Sequence, residues 1–124
     1  MNDDGLRGAA RRALKSNRRI VDHSPSAFAA LLSAADFDAG APPEIAIVGV
    51  PDDPLTRAML DVVHKRYLPN RVVSLAVPGA SIDGLPLLTG KTAVGGKTTA
   101  YLCRNYVCQA PTQDPAILAK SLGG

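Results

Sequence analysis

"EIAIVGVPDDPLTRAMLDVVHKRYLPNRVVSLAV", residues 44–77, carries two apolar runs on either side of a capped helical pattern. Its first seven residues, "EIAIVGV", form a short apolar run closed by glycine and valine. A strand buried on both faces reads this way, because neither face has to meet water. Asp53 then stands where a helix N-cap belongs, and Pro54 occupies the first helical position, where its missing N–H costs nothing. Leu55, Ala58, Met59, Val62, Val63 and Tyr67 recur at helical spacing, with Arg57, Asp61, His64, Lys65 and Arg66 on the opposite side. Pro69 and Asn70 break the helix, and "RVVSLAV" (71–77) supplies a second apolar strand. Strand, capped helix and strand with short connections predict a parallel βαβ unit with a right-handed crossover.

On the C-terminal side, residues 78–97 are rich in glycine and proline and read as a long connection with one short helical turn. "TTAYLCRNYVC" (98–108) has the β-branched, aromatic and apolar make-up of a third strand. A last helix is announced by Asp114 as cap, Pro115 at its first position and Gly123 as terminator. On the N-terminal side, a helix over Leu6–Ile20 places Leu6, Ala10, Ala13, Leu14 and Asn17 opposite its arginines. A second helix opens with Ser24 as cap and Pro25 behind it, and carries Phe28, Leu31, Leu32 and Ala35 on one face. "FDAGAPP" (37–43) is the linker. The expectation is a helical N-terminal segment, 1–43, and a small α/β domain, 44–124. The latter has a small parallel sheet of about three strands, a βαβ unit plus one strand, with flanking helices.

The chain has 124 residues, enough for one core and too few for two independent ones. With three Tyr, two Phe and no Trp, that core must be built from Ala, Val, Leu and Ile. No apolar run approaches the roughly 20 residues that span a bilayer, so no membrane partner is expected. The N-terminus lacks a secretory hydrophobic region, and Asp3 and Asp4 speak against a transit peptide, so a cytoplasmic location is expected. The net charge of +3 is local: residues 1–20 carry six basic groups and two acids, whereas the rest carries eight basic groups and nine acids. That asymmetry reads as a solvated helix face rather than a nucleic-acid stripe.

Gly-Lys-Thr occurs at 90–92 and again at 96–98, but neither copy is a phosphate loop. That loop needs a glycine five positions before its Gly-Lys, so that backbone amides can wrap a phosphate. The required positions hold Leu85 and Lys91. A strand-like segment follows, where a helix should. In "GVPDDP", Gly49, Asp52 and Asp53 sit where open α/β sheets gather ligands and are candidates for a metal or a sugar hydroxyl. Helix capping and dipole compensation account for the same acids, and neither a metal nor a cofactor is expected.

Cys103 and Cys108 are five residues apart, which is not the spacing of a helix-borne redox pair. Within one regular strand an odd offset sends the two side chains to opposite faces. Buried structural thiols are therefore the preferred reading. A turn-closing disulfide, which needs the chain to turn within "RNYV", and a reactive redox pair stay open beside it.

Residues 44–73 together with "TTAYLCRNYVCQAPTQDPAIL" (98–118) resemble the C-terminal end of the thioredoxin-domain-containing, spermatogenesis-associated protein family and its bacterial YyaL-like relatives. That family closes with a Tyr-x-Cys-x-Asn-x-x-Cys-x-x-Pro signature, matched here by Tyr101, Cys103, Asn105, Cys108 and Pro111. The resemblance covers about residues 20–122. It implies a terminal module of a longer protein whose other parts are a thioredoxin-like domain and an α/α toroid similar to sugar epimerases and six-hairpin glycosidases. No CxxC is found in this chain. The resemblance therefore implies a structural or interaction module, without catalysis alone, whose partner is the missing portion or a second copy. The alternative is a redox module using Cys103 and Cys108 with a thioredoxin-like partner.

Overall fold

The computed structural model describes residues 4–80, 84–105 and 107–123. Asp3 and the middle of the 78–97 connection, residues 81–83, lie outside them. The chain forms two compact units, Met1–Ala41 and Pro42–Gly124.

In the first unit, α1 (Asp4–Ser16) and α2 (Arg18–His23) replace the single expected helix. They are separated at Asn17, whose side-chain amide turns back to donate to the Ala13 carbonyl at 2.8 Å. An amide that bonds the preceding turn competes with the helix ladder, a common cause of such interruptions. Ser24 does not act as a side-chain cap. Pro25–Phe28 instead form a 3-10 turn, and α3 begins only at Ala29, ending at Ala39. Arg11 Nε donates to both carboxylate oxygens of Asp38, at 2.9 and 3.0 Å, and ties α1 to α3. None of the residues in α1, α2 or α3 is buried.

The second unit is a mixed four-stranded sheet in the order β2-β1-β3-β4, with β1 at Glu44–Val48, β2 at Val72–Ala76, β3 at Thr99–Arg104 and β4 at Val107–Cys108. The βαβ unit forms where expected, with β1 and β2 parallel and joined through α4 (Pro54–His64). Asp53 caps α4 by accepting from the Leu55 amide at 2.7 Å, and Asp114 caps α5 (Pro115–Leu122) by accepting from Ala116 at the same distance.

Two features depart from the expected three parallel strands. β3 runs antiparallel to β1, with Val48 opposite Thr99 and Glu44 opposite Cys103. The connection from β2 contains only two 3-10 turns, Pro86–Leu88 and Val94–Gly96, among its described residues. It therefore returns the chain at the end of the sheet where β2 left it. A parallel strand would need a crossover to the other end. The second departure is that residues 98–108 are a hairpin, not one strand. Asn105 sits at φ 49°, a left-handed conformation that asparagine tolerates better than most side chains, and β4 folds back on β3.

Strand alternation sorts the core into two layers. Ile45, Ile47, Ala100 and Leu102 meet Met59 and Val63 of α4 and Leu118 and Leu122 of α5. On the other face, Ala46, Val48 and Ala76 meet Leu88, with Leu87, Ala93 and Tyr101 packed against them. Helices thus cover one face and the glycine-rich connection covers the other, which is why β1 is buried from Ile45 to Val48. The α4 stripe is shorter than its sequence suggests. The helix stops at His64, Tyr67 is 92% exposed, and Thr56 takes a fully buried place instead.

Candidate functional site

The candidate residues fall at two places in the second unit, the C-terminal end of β1 and the β3–β4 hairpin. At the first, Gly49 follows directly on β1, and its amide donates to the Ala76 carbonyl at 2.9 Å. Its Cα faces the hydroxyls of Thr56 and Thr98, and a Cβ there would collide with both. Close approach is the physical reason for a glycine at this position. Thr56 Oγ1 and Thr98 Oγ1 are 2.7 Å apart and buried. Asp53 is committed to the α4 cap, and Asp52 Oδ1 accepts from Arg57 Nη2 at 2.7 Å on the surface. The structure thus uses Gly49, Asp52 and Asp53 to join β1 to α4.

Beside this junction lies a cleft of about 560 Å³, at the C-terminal ends of the parallel strands. Val48, Ala76, Pro78, Leu88, Lys91 and Thr92 contribute to its lining, whereas Gly49, Asp52 and Asp53 do not. One wall is held by Tyr101, whose hydroxyl donates to the Thr92 carbonyl at 2.7 Å and accepts from the Thr92 amide at 3.2 Å. Lys91 Nζ lies 5.8 Å from the centre of the Tyr101 ring, within cation–π range. Each Gly-Lys-Thr copy is thus tied into the fold through its threonine. Thr92 of the first is latched by Tyr101, and Thr98 of the second is latched by Thr56. Gln113 adds a further tie, donating from Nε2 to the Val94 carbonyl at 2.6 Å.

At the hairpin, Cys103 and Cys108 are directly opposed in register and joined by a disulfide. This settles the pairing against two free buried thiols. The chain reverses after β3, with Asn105 at positive φ, and this brings the two side chains to one face despite their odd offset. The two cysteines differ in environment: Cys103 is 2% exposed within β3, whereas Cys108 is exposed on β4. Among the signature residues, Tyr101 latches the connection and Asn105 makes the turn. Pro111 is exposed and precedes Thr112, which exchanges backbone hydrogen bonds with Ala100 at 2.8 and 3.0 Å. His23 and His64 are both exposed, each within its own unit.

Thr56, Thr98 and Gln113 escape a reading of the sequence. Their only local signal is a hydroxyl or amide at the edge of a helix stripe or glycine-rich loop, and their partners are far away in the chain.

A sequence relationship accompanies this geometry. The chain is similar to spermatogenesis-associated protein 20. It is 37% identical to that protein of Rattus norvegicus over 82 residues, a match covering 64% of this chain and 10% of the rat protein. The Homo sapiens protein is 37% identical over 70 residues, covering 54% of this chain and 9% of the human one. The chain thus spans about a tenth of the length of these curated relatives. No family model matches the chain, and no solved structure matches it. Among the described residues, no helix is long and apolar enough to cross a membrane.

Proposed function

We propose that the chain is a structural or interaction module of the spermatogenesis-associated protein 20 family. It corresponds to the C-terminal end of the longer relatives, acts in the cytoplasm, and has no catalysis of its own. Its partner is the remaining portion of such a protein, a thioredoxin-like domain and a YyaL-like, six-hairpin-glycosidase-like α/α toroid, with any carbohydrate chemistry belonging to that portion.

One observation carries this reading. Polar residues near the end of β1 are committed to holding the fold, Asp53 to a cap, Thr98 to Thr56 and Tyr101 to Thr92, while Asp52 pairs with Arg57 on the surface. The first unit complements this picture, since Leu6, Ile20, Leu32 and Phe37 are between 40% and 71% exposed on helices that bury nothing. Apolar surface left on an unfilled helical unit is what a docking element carries.

The test is a titration of the purified chain into the remainder of a curated relative that lacks the matched segment, followed by calorimetry. A one-to-one complex is expected, weakened at least about tenfold by Leu32→Asp or Phe37→Asp, a loss of about 1.4 kcal/mol. Absence of any complex would sink the reading. Self-association without binding the remainder would turn it towards a second copy.

A further inference from the structure

We propose that the Cys103–Cys108 disulfide is a thiol–disulfide exchange site, entered at Cys108 by an external dithiol and closed again by Cys103. The proposal stands on the hairpin alone and does not depend on the docking role.

The first ground is the unequal exposure of the two cysteine residues. Exchange begins when a thiolate attacks one sulfur of the bond, and access decides which one. Cys103 is 2% exposed on a strand paired with β1, while Cys108 lies on β4, both of whose residues are exposed. Attack is thus assigned to the sulfur of the exposed residue, with the sulfur of the buried residue as the leaving group.

The second ground is how little structure the bond has to disturb when it opens. β4 is two residues long and pairs Cys108 with Cys103 and Val107 with Arg104, and the Gln109 amide donates to the Leu102 carbonyl at 2.9 Å. Val107 is 74% exposed, and residues 108–111 are exposed as well. None of residues 107–111 belongs to either hydrophobic cluster of the core, so opening is a local event of the low-stability kind. Cys103, by contrast, lies in β3, which is paired with β1, and the register of the hairpin sets Cys108 directly opposite it. The geometry for reclosure is built in.

The chemistry balances with a dithiol as reductant. One thiolate of the dithiol attacks Cys108 Sγ, a new S–S bond forms, and the Cys108–Cys103 bond breaks. Its electron pair leaves on Cys103 Sγ, which takes up a proton. The second thiol of the dithiol then attacks its own sulfur in the mixed disulfide and expels Cys108 as a thiolate, which is protonated in turn. The protein disulfide gains two electrons and two protons, and the dithiol becomes a cyclic disulfide. The reverse sequence, with the cyclic disulfide as oxidant, reforms the bond through the same Cys108 adduct.

Arg104 lies between the cysteines, so trypsin separates them into peptides 98–104 and 105–120. The oxidised chain is treated under native conditions with reduced glutathione, a monothiol that traps the mixed disulfide, then acid-quenched, digested and weighed. The expected adduct is on peptide 105–120, exceeding any on 98–104 by at least about tenfold. Dithiothreitol should release both thiols and leave no adduct. Equal adducts, or an adduct mainly on Cys103, would overturn the proposal. So would reduction that proceeds only at the rate of global unfolding, or a purified chain that glutathione disulfide cannot oxidise. Two variants check the asymmetry independently. Iodoacetamide should label Cys108 in folded Cys103→Ser, and should leave Cys103 unlabelled in Cys108→Ser until denaturant is added. Native labelling of Cys103 as fast as that of Cys108 would count against the proposal.

Discussion

Thr56 of α4 and Thr98 at the entrance to β3 share a 2.7 Å hydroxyl–hydroxyl hydrogen bond in a place where neither residue reaches solvent. That bond joins the helix of the βαβ unit to the end of the long connection, across 42 residues of chain. Removing one hydroxyl leaves the other buried without its partner, and the cost is that of desolvating it. Thr56→Val or Thr98→Val should therefore lose about 1–3 kcal/mol each. The double variant should lose clearly less than the sum, because no orphan remains. Urea denaturation of the four members of the cycle checks this, and simple additivity would count against the coupling.

Gly49 sits against the same two hydroxyls. Gly49→Ala drives a methyl into both, and neither can retreat without breaking their bond. Overpacking of this kind should cost about 1–3 kcal/mol. If the collision is the cause, Thr98→Ser in the Gly49→Ala background should recover part of the loss, since it removes the methyl that also crowds Gly49.

The two aspartate caps give a cleaner case. Asp53 and Asp114 each accept one amide hydrogen bond at 2.7 Å at the start of a helix that opens with proline. Each Asp→Ala variant should lose about 1 kcal/mol, and each Asp→Asn or Asp→Ser variant much less. Ser24→Ala is the control. Its hydroxyl makes no cap hydrogen bond, so chemical denaturation should show a change within about 0.5 kcal/mol.

Tyr101 latches the cleft wall through its hydroxyl. Tyr101→Phe keeps the ring against Ala46, Val48 and Leu88 but releases both bonds to Thr92. The stability loss should be about 1 kcal/mol. The more telling readout is hydrogen exchange, which should quicken at the Thr92 amide while the β1 amides stay protected. Unchanged exchange at Thr92 would show that the wall stands without the latch.

Much of the second unit is legible in residues 44–77, because its determinants are local. The apolar run of β1, the Asp53–Pro54 start of α4 and the second run of β2 are each written within a few neighbours, and so is the Asp114–Pro115 start of α5. Where the reading falters, the deciding contact is distant or the local signal is shared by two conformations. Tyr67 keeps the helical spacing, yet α4 ends three residues earlier. Ser24–Pro25 carries the same signal as Asp53–Pro54, yet a 3-10 turn forms there, in a unit with no buried helical residue to reward a full α-helix start. The segment 98–108 has strand composition throughout, and the left-handed Asn105 lies where β3 gives way to β4.

The sequence alone determined that this chain builds an α/β unit around a βαβ core, and that its Gly-Lys-Thr tripeptides are out of step with a phosphate loop. Both follow from short-range rules: periodicity, caps and the spacing a phosphate demands. Tertiary structure decided the direction of β3, the Cys103–Cys108 bond, and the use of Gly49, Thr98 and Tyr101 as packing and latching residues. Each of these depends on what the chain meets after turning back on itself. A residue's local spacing carries no record of a partner that lies tens of positions away, or across the turn of a hairpin.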